Sequence, residues 1–165
     1  MIRFVQLSPA ALTALIDGDL AAASAAAGTE LSAYLIDENW LWRIRREQIA
    51  QDPASADWIA RAAVAEPAGV VVGHGGFHGP PDDEGIVEVA YSVDPAHRRQ
   101  GYAKAMLREL LRRADEDPQV SAVRASIRPD NVASRATIAG FGFRKVGEQW
   151  DPEDGLEFVF ERRAG

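Results

Sequence analysis

The period of apolar and polar positions changes repeatedly along the chain, and each change marks an element. Ile2 to Leu7 is a short apolar run that reads as a strand. Ser8-Pro9 before Ala10-Ala11-Leu12-Thr13-Ala14-Leu15-Ile16 is a helix start, with Ser as N-cap and Pro at the first helical position, and Gly18 breaks that helix. The Ala-rich stretch from Asp19 to Thr29 reads as a second short helix, and Trp40 to Ala50 as a further one ending near Asp52-Pro53. Trp58 to Ala65 and Gly69 to Phe77 are strands of a hairpin turning at Glu66-Pro67-Ala68-Gly69. After the Gly79 to Gly85 turn, Ile86 to Val93 is the next strand. From Gly101 the period changes from about two to about 3.6: Ala103, Met106, Leu107, Leu110, Leu111 and Ala114 share one face, with Arg108, Glu109, Arg112 and Arg113 opposite. Val120 to Ile127 follows as a strand and Asn131 to Ala139 as a short helix. Phe143 to Trp150 and Leu156 to Glu161 form a closing pair around Asp151-Pro152-Glu153-Asp154-Gly155. This order predicts one α/β (α+β) layer structure over residues 1-165, with no internal repeat and no linker.

Composition narrows the chemistry. The 165 residues hold 18 Lys+Arg against 25 Asp+Glu, a net charge of −7, and no Cys. Disulfides, thiolate metal sites and Cys nucleophiles are thereby excluded. An acidic balance argues against non-specific binding to nucleic acid or anionic lipid, which needs a basic face. No stretch approaches the ~20 apolar residues of a membrane span, and no signal peptide is visible, so a cytoplasmic protein is expected.

The segment Val93-Asp94-Pro95-Ala96-His97-Arg98-Arg99-Gln100-Gly101-Tyr102-Ala103 joins a strand to the amphipathic helix through a basic turn. The first N–H groups of a helix lack partners and, with the helix dipole, favour phosphate; Gly101 admits a ligand close to the backbone. A plain strand-to-helix turn with solvated arginines explains the same spacing. The run Arg98-Arg99-Gln100-Gly101-Tyr102-Ala103, however, resembles the acyl-CoA signature of the GNAT superfamily of N-acetyltransferases, [Gln/Arg]-x-x-Gly-x-[Gly/Ala]. Val93-Asp94-Pro95 resembles that family's lead-in. Pro129-Asp130-Asn131-Val132-Ala133-Ser134, followed by Gly140-Phe141-Gly142-Phe143, resembles its later elements. The likeness covers residues 70 to 162, is matched only in outline before that, and is closest to the ribosomal-protein-alanine acetyltransferase branch.

The resemblance implies a GNAT-like fold, a central mixed, mostly antiparallel sheet of about six to seven strands flanked by helices. It implies an N-acetyltransferase that moves an acetyl group from acetyl-CoA to a primary amine by direct attack in a ternary complex. The amides of Arg98, Arg99, Gln100, Gly101, Tyr102 and Ala103 would hold the pyrophosphate. Main-chain groups of Tyr91 and Val93 would face pantetheine, with the Val93 N–H polarising the thioester, and Asn131 would hydrogen-bond the cofactor. A base must remove a proton from an ammonium of pKa near ~10. Glu88, inside an otherwise apolar strand, is the candidate, and a Glu on a solvated sheet face is the alternative. Alternation places Glu88, Ala90 and Ser92 on one face and Val87, Val89, Tyr91 and Val93 on the other. Relatives carry a bulge in this strand that would change the parity. The late-helix Tyr that many relatives use as general acid is absent, which leaves the Ser134 hydroxyl, otherwise a helix-surface group.

Other residues fit structural roles. His74 and His78 would lie ~13 Å apart along a strand, so no zinc site or other metal site is expected; His74 reads as a hydrogen-bonded structural residue near the acceptor. Trp40, Trp42 and Trp58 read as core before acceptor pocket. Arg43, Arg45 and Arg46 read as a solvated helix face, and Asp82-Asp83-Glu84, Asp151 and Asp154 as turns. The acceptor is a small-molecule amine or a peptide or protein N-terminus, and the chain a monomer or homodimer. The alternatives are a non-catalytic acyl-CoA-binding module of the same fold and a domain whose basic turn receives another phosphate.

Overall fold

The computed structural model describes all 165 residues. Strands β1 (Ile2–Gln6), β2 (Arg61–Ala65), β3 (Val70–Phe77), β4 (Ile86–Val93), β5 (Ala122–Ile127), β6 (Arg144–Asp151) and β7 (Gly155–Arg163) form one sheet in the order β1-β2-β3-β4-β5-β7-β6. Only β4 and β5 run parallel. The mixed, mostly antiparallel sheet of seven strands is the architecture that the resemblance implies.

Six α-helices flank it: α1 (Pro9–Ile16), α2 (Leu20–Ala27), α3 (Ala33–Asp37), α4 (Asn39–Gln51), α5 (Tyr102–Glu116) and α6 (Val132–Ile138). Ser8 caps α1 as the sequence suggests, its Oγ accepting from the Ala11 N–H (3.2 Å), and Asp19 Oδ1 caps α2 by accepting from the Ala22 N–H (3.0 Å). Two elements differ from expectation. The segment before α4 folds into the separate one-turn helix α3, and a 3₁₀ turn at Pro53–Asp57 delays β2 from Trp58 to Arg61. There the Asp52 carboxylate accepts from the Ala54 N–H (3.2 Å), and the Trp58 N–H is spent on Ser55 O (2.9 Å) rather than on a ladder.

The apolar stripe of α5 is buried against the sheet, Leu107, Leu110, Leu111 and Ala114 in one core with Val87, Val89, Val123, Ala125 and Ile127 from β4 and β5, and Met106 in a smaller one with Ile2, Ala63, Ala65 and Val72. Burying five such side chains contributes on the order of 1.5–3 kcal/mol for each large one, which fixes α5 and hence the loop at its N-terminus. Helices α1 to α4 pack around Leu12, Leu15, Leu35 and Trp42, all without exposed surface. No helix is long and apolar enough to cross a membrane.

Candidate active site

Strand β4 is the axis of the site. It keeps unbroken register with β3 from Val89 to Val93. The ladder ends with His78 N–H donating to Glu88 O (2.8 Å) and Asp94 N–H donating to Val72 O (2.8 Å). Hydrogen-bonded residues alternate in an antiparallel pair, so Glu88, Ala90 and Ser92 turn their main-chain groups to β3. Val89, Tyr91 and Val93 turn theirs the other way, toward β5. Yet β5 meets β4 over three residue pairs only, Ile86 with Ala122, Val87 with Val123 and Glu88 with Arg124. Past Glu88 the two strands part, and the N–H and C=O groups of Tyr91 and Val93 face an open gap. The bulge expected in β4 is not there. The irregularities of the sheet lie at Ala63/Val64 between β2 and β3 and at Lys145/Gly147 between β6 and β7, so the simple alternation of β4 side chains holds.

The gap leads to the first turn of α5. Gly101, its N-cap, takes φ +84° and offers no side-chain cap. The N–H groups of Tyr102, Ala103 and Lys104 have no intrahelical acceptor, and none donates to a carbonyl elsewhere. Arg99 also adopts positive φ, +61°, a conformation that costs a non-glycine residue energy and recurs where loops grip ligands. Arg98, Arg99 and Lys104 border the resulting cleft of about 770 Å³, with Tyr91, Ser92 and Val93 on one side and Asn131 and Ser134 on the other. Gln100 is the one member of the run from Arg98 to Ala103 that does not line it. Asn131 Oδ1 caps α6 by accepting from the Ser134 N–H (3.1 Å), which leaves its amide nitrogen for the cleft. Free amides beside three cations suit a pyrophosphate, and a strand edge without a neighbour suits an extended amide-bearing arm.

The opposite face of β4 carries the polar side chains. Glu88 accepts from Ser126 Oγ at Oε1 (3.1 Å), and its Oε2 lies 3.2 Å from His78 Nδ1. Arg124, its neighbour on β5, is taken up by Glu161 (2.6 Å). His78 is half exposed, but lost hydration, aided by Arg45, draws its pKa below 6.5 against the opposing charges of Glu88 and Glu157.

Four residues back along the chain, in β3, His74 anchors a second cluster. His74 is buried, with Nε2 3.2 Å from Glu38 Oε1, its ring edge-on to Trp42 and stacked on Tyr34. The bond to His74, and those from Tyr34 Oη (2.6 Å) and Trp40 Nε1 (2.8 Å), hold the Glu38 carboxyl down to about 2 although burial opposes this. Tyr34 Oη also lies 2.6 Å from Ser92 Oγ. Burial, then Glu38, push this phenol up to about 12. Burial does the same for Tyr91, to about 12.

A cavity of about 440 Å³ lies between this cluster and the β6–β7 turn, bordered by Glu38, Trp40, Arg45, His74 and His78 and closed by Asp151, Glu153 and Asp154. A third, of about 380 Å³, runs past Glu88, Ser126, Ser134 and Glu157. Tyr91 borders all three spaces, and Ser134 borders the first and third. Arg45 is thus a correction to the solvated-face reading: it donates to Gln48 Oε1 (2.9 Å), burial lowers its pKa, and it lines the cavity. Trp42 and Trp58 are core as expected, whereas Trp40 is 55% exposed and borders the cavity. Asp151 does make its turn, accepting from the Glu153 and Asp154 N–H groups (2.8 and 2.9 Å). Tyr34, Glu38 and His78 are the functional candidates that sequence reasoning passed over. Their partners lie at separations of 58, 36 and 10 residues, and no local spacing signals the first two.

A family model described as the acetyltransferase (GNAT) domain matches residues 11–144. The chain belongs to the GNAT acetyltransferase family. Acetyltransferases are also what its relatives and structural neighbours are called. The L-2,4-diaminobutyric acid acetyltransferase of Streptomyces anulatus is 32% identical over 117 residues, 63% of this chain and 65% of that one. The chain spans less than two thirds of the length of the curated relatives it matches, 44% and 65%. Among solved structures, a GNAT phosphinothricin acetyltransferase from Sinorhizobium meliloti in complex with AcCoA superposes with TM-score 0.63 at 18% identity, covering 100% of this chain and 88% of the other. The ribosomal-protein-alanine N-acetyltransferase from Brucella melitensis gives TM-score 0.60 at 23% identity, covering 99% of each. At such identities the neighbours share the GNAT fold with this chain.

Proposed function

We propose that this GNAT protein transfers the acetyl group of acetyl-CoA to a primary amine held on the α4 side of β4, by direct attack without a covalent enzyme intermediate. The observation that carries the reading is the gap between β4 and β5. It runs from the free amides of α5 along the outward-facing N–H and C=O groups of Tyr91 and Val93, and ends beside Glu88. In this reading the Arg98-to-Ala103 loop binds the pyrophosphate, Gln100 through its backbone, and Asn131 contributes its amide. Val93 pairs with pantetheine. Tyr91 lies three residues from Glu88, ~10 Å along the strand against ~16 Å for Val93, so its N–H is the better placed to polarise the thioester carbonyl.

Glu88 is the carboxylate through which the amine loses its proton. Ser134, at the junction of two of the cavities, is placed to protonate the leaving sulfur, a smaller contribution because a free thiol has a pKa near ~8.5. The acceptor wall supports a cationic amine: Glu38, Glu88, Asp151, Glu153, Asp154 and Glu157 line the two spaces against the single guanidinium of Arg45. A small diamine, in keeping with the diaminobutyric acid of the Streptomyces relative, suits this wall better than a bulky peptide N-terminus.

The test is acetyl-CoA titration by calorimetry followed by thiol release over a panel of diamines, amino acids, aminoglycosides and peptides, which a chain without Cys permits with no protein background. Binding with amine-dependent release is expected, and Glu88→Gln is expected to lower kcat by ~10²–10⁴ with cofactor affinity unchanged. Binding without release from any amine would assign an acyl-CoA-binding module instead.

A further inference from the structure

The proton taken from the acceptor has two candidate destinations, and the geometry separates them. Glu88 Oε1 accepts from Ser126 Oγ (3.1 Å), and Oε2 lies 3.2 Å from His78 Nδ1 as an ion-pair contact. Glu88 borders the space next to β5 but not the cavity next to α4, whereas His78 borders both. The other ring nitrogen of His78, Nε2, has no partner in the protein, and the ring is 53% exposed.

We propose that His78 is the catalytic base, receiving the amine proton at Nε2, and that Glu88, with Oε2 3.2 Å from Nδ1, is a positioning residue whose charge favours a proton on that nitrogen. The inference rests on the transferase reading above for its chemistry, but not for its geometry.

An alkylammonium first gives up one proton to solvent to become a neutral amine, whose lone pair forms the C–N bond at the thioester carbon. The adduct nitrogen passes its surplus proton to His78 Nε2. The C–S bond breaks with its electron pair going to sulfur, and the thiolate takes up a proton. One proton is released overall for each acetyl group transferred. An imidazole suits the transfer better than a carboxylate, since free groups have pKa values of ~6.5 and ~4.3. The surroundings shift the ring toward its neutral form. Loss of hydration and Arg45 on α4 lower its pKa. Glu88 on β4 and Glu157 on β7 oppose this. Asp151 borders both cavities with it, as does Asp154 in the β6–β7 turn. The carboxylate therefore favours the Nδ1–H tautomer through its charge and stabilises the imidazolium once it forms.

Two measurements test this. The chain has three histidines, so ¹H–¹⁵N correlation of the side-chain nitrogens in the full chain, assigned with His78→Asn, reads tautomer and titration directly and needs no acceptor. The expected result is a protonated Nδ1 and a bare Nε2, titrating below 6.5. In Glu88→Gln the titration falls further, because a charge that raises it has gone. A protonated Nε2, or a titration indifferent to Glu88→Gln, overturns the proposal whether or not the transferase reading survives.

With an acceptor in hand, kcat/KM of the parent should fall with slope one below the amine pKa and steepen to slope two below the His78 pKa. His78 is half exposed, so His78→Asn should fold with an unchanged Tm. It should lose ~10²–10⁴ in kcat and keep slope one throughout. Equal loss at every pH with the second limb intact would make His78 structural. Little loss, with a limb in the carboxylate range, would return the proton to Glu88. Either result overturns the proposal.

Discussion

A methyl group at position 73 would sit 2.0 Å from the Ser92 carbonyl oxygen and 2.9 Å from Met106 Cε. Glycine is therefore the price of the close approach between β3, β4 and α5 directly behind Ser92 and Val93. Gly73→Ala is expected to lose at least the ~1–3 kcal/mol of ordinary overpacking in urea unfolding, and to weaken acetyl-CoA binding because the outward edge of β4 must shift. Glu38 gives a prediction in pH. Its folded pKa of about 2 lies below the ordinary 4.5, so on acidification the unfolded chain binds the proton first. The stability it contributes is complete above pH 4.5 and is lost as the pH falls from there to about 2. Glu38→Gln should thus be less stable than the parent at pH 7, with the difference vanishing on acidification; a difference that stays constant would mean the carboxylate acts through packing alone. Side-chain partnerships such as Tyr34 with Ser92 or His74 with Glu38 were not legible in the sequence, because they depend on how α3 lands on β3. Glu88 was legible, since a carboxylate stands out in an apolar strand, but its link to His78 required the register of the hairpin.

At the level of elements, the parts that matter most were the easiest to read. β4 and the start of α5 follow from unmixed periodicities, two and about 3.6 residues, and from a glycine at the switch between them. α3 and the 3₁₀ turn at Pro53–Asp57 were not readable, because each is shorter than a single period can reveal. Their existence is decided by tertiary packing and by the Asp52 cap. The loop before α5 carries its own expectation. Gly101 at φ +84° has nothing within 4 Å of where a Cβ would stand, so Gly101→Ala should cost only the ~1–2 kcal/mol of a left-handed conformation. Its effect on acetyl-CoA affinity, read by calorimetry, should be larger, about tenfold or more, because the added methyl enters the cleft. Equal affinities would show that the pyrophosphate sits elsewhere.

For the whole molecule, a net charge of −7 and the carboxylate-lined cavities beside β4 would act together on the proposed cationic acceptor. Raising salt from ~0.05 to ~0.5 M should lower kcat/KM for a diamine more than for a singly charged amine, chiefly through KM, as screening shortens the reach of the field. The sheet itself behaves as two leaves, β1 to β4 and β5 to β7, hinged on three residue pairs between Ile86–Glu88 and Ala122–Arg124. A hinge that short resists bending poorly. In the free protein the leaves should breathe, and the amides of Tyr91 and Val93 should exchange with solvent far faster than those of Ala90 and Ser92 in the same strand. A bound donor would splint the two leaves together, so it should raise the melting temperature and slow exchange on β5 and β7, at amides it never touches.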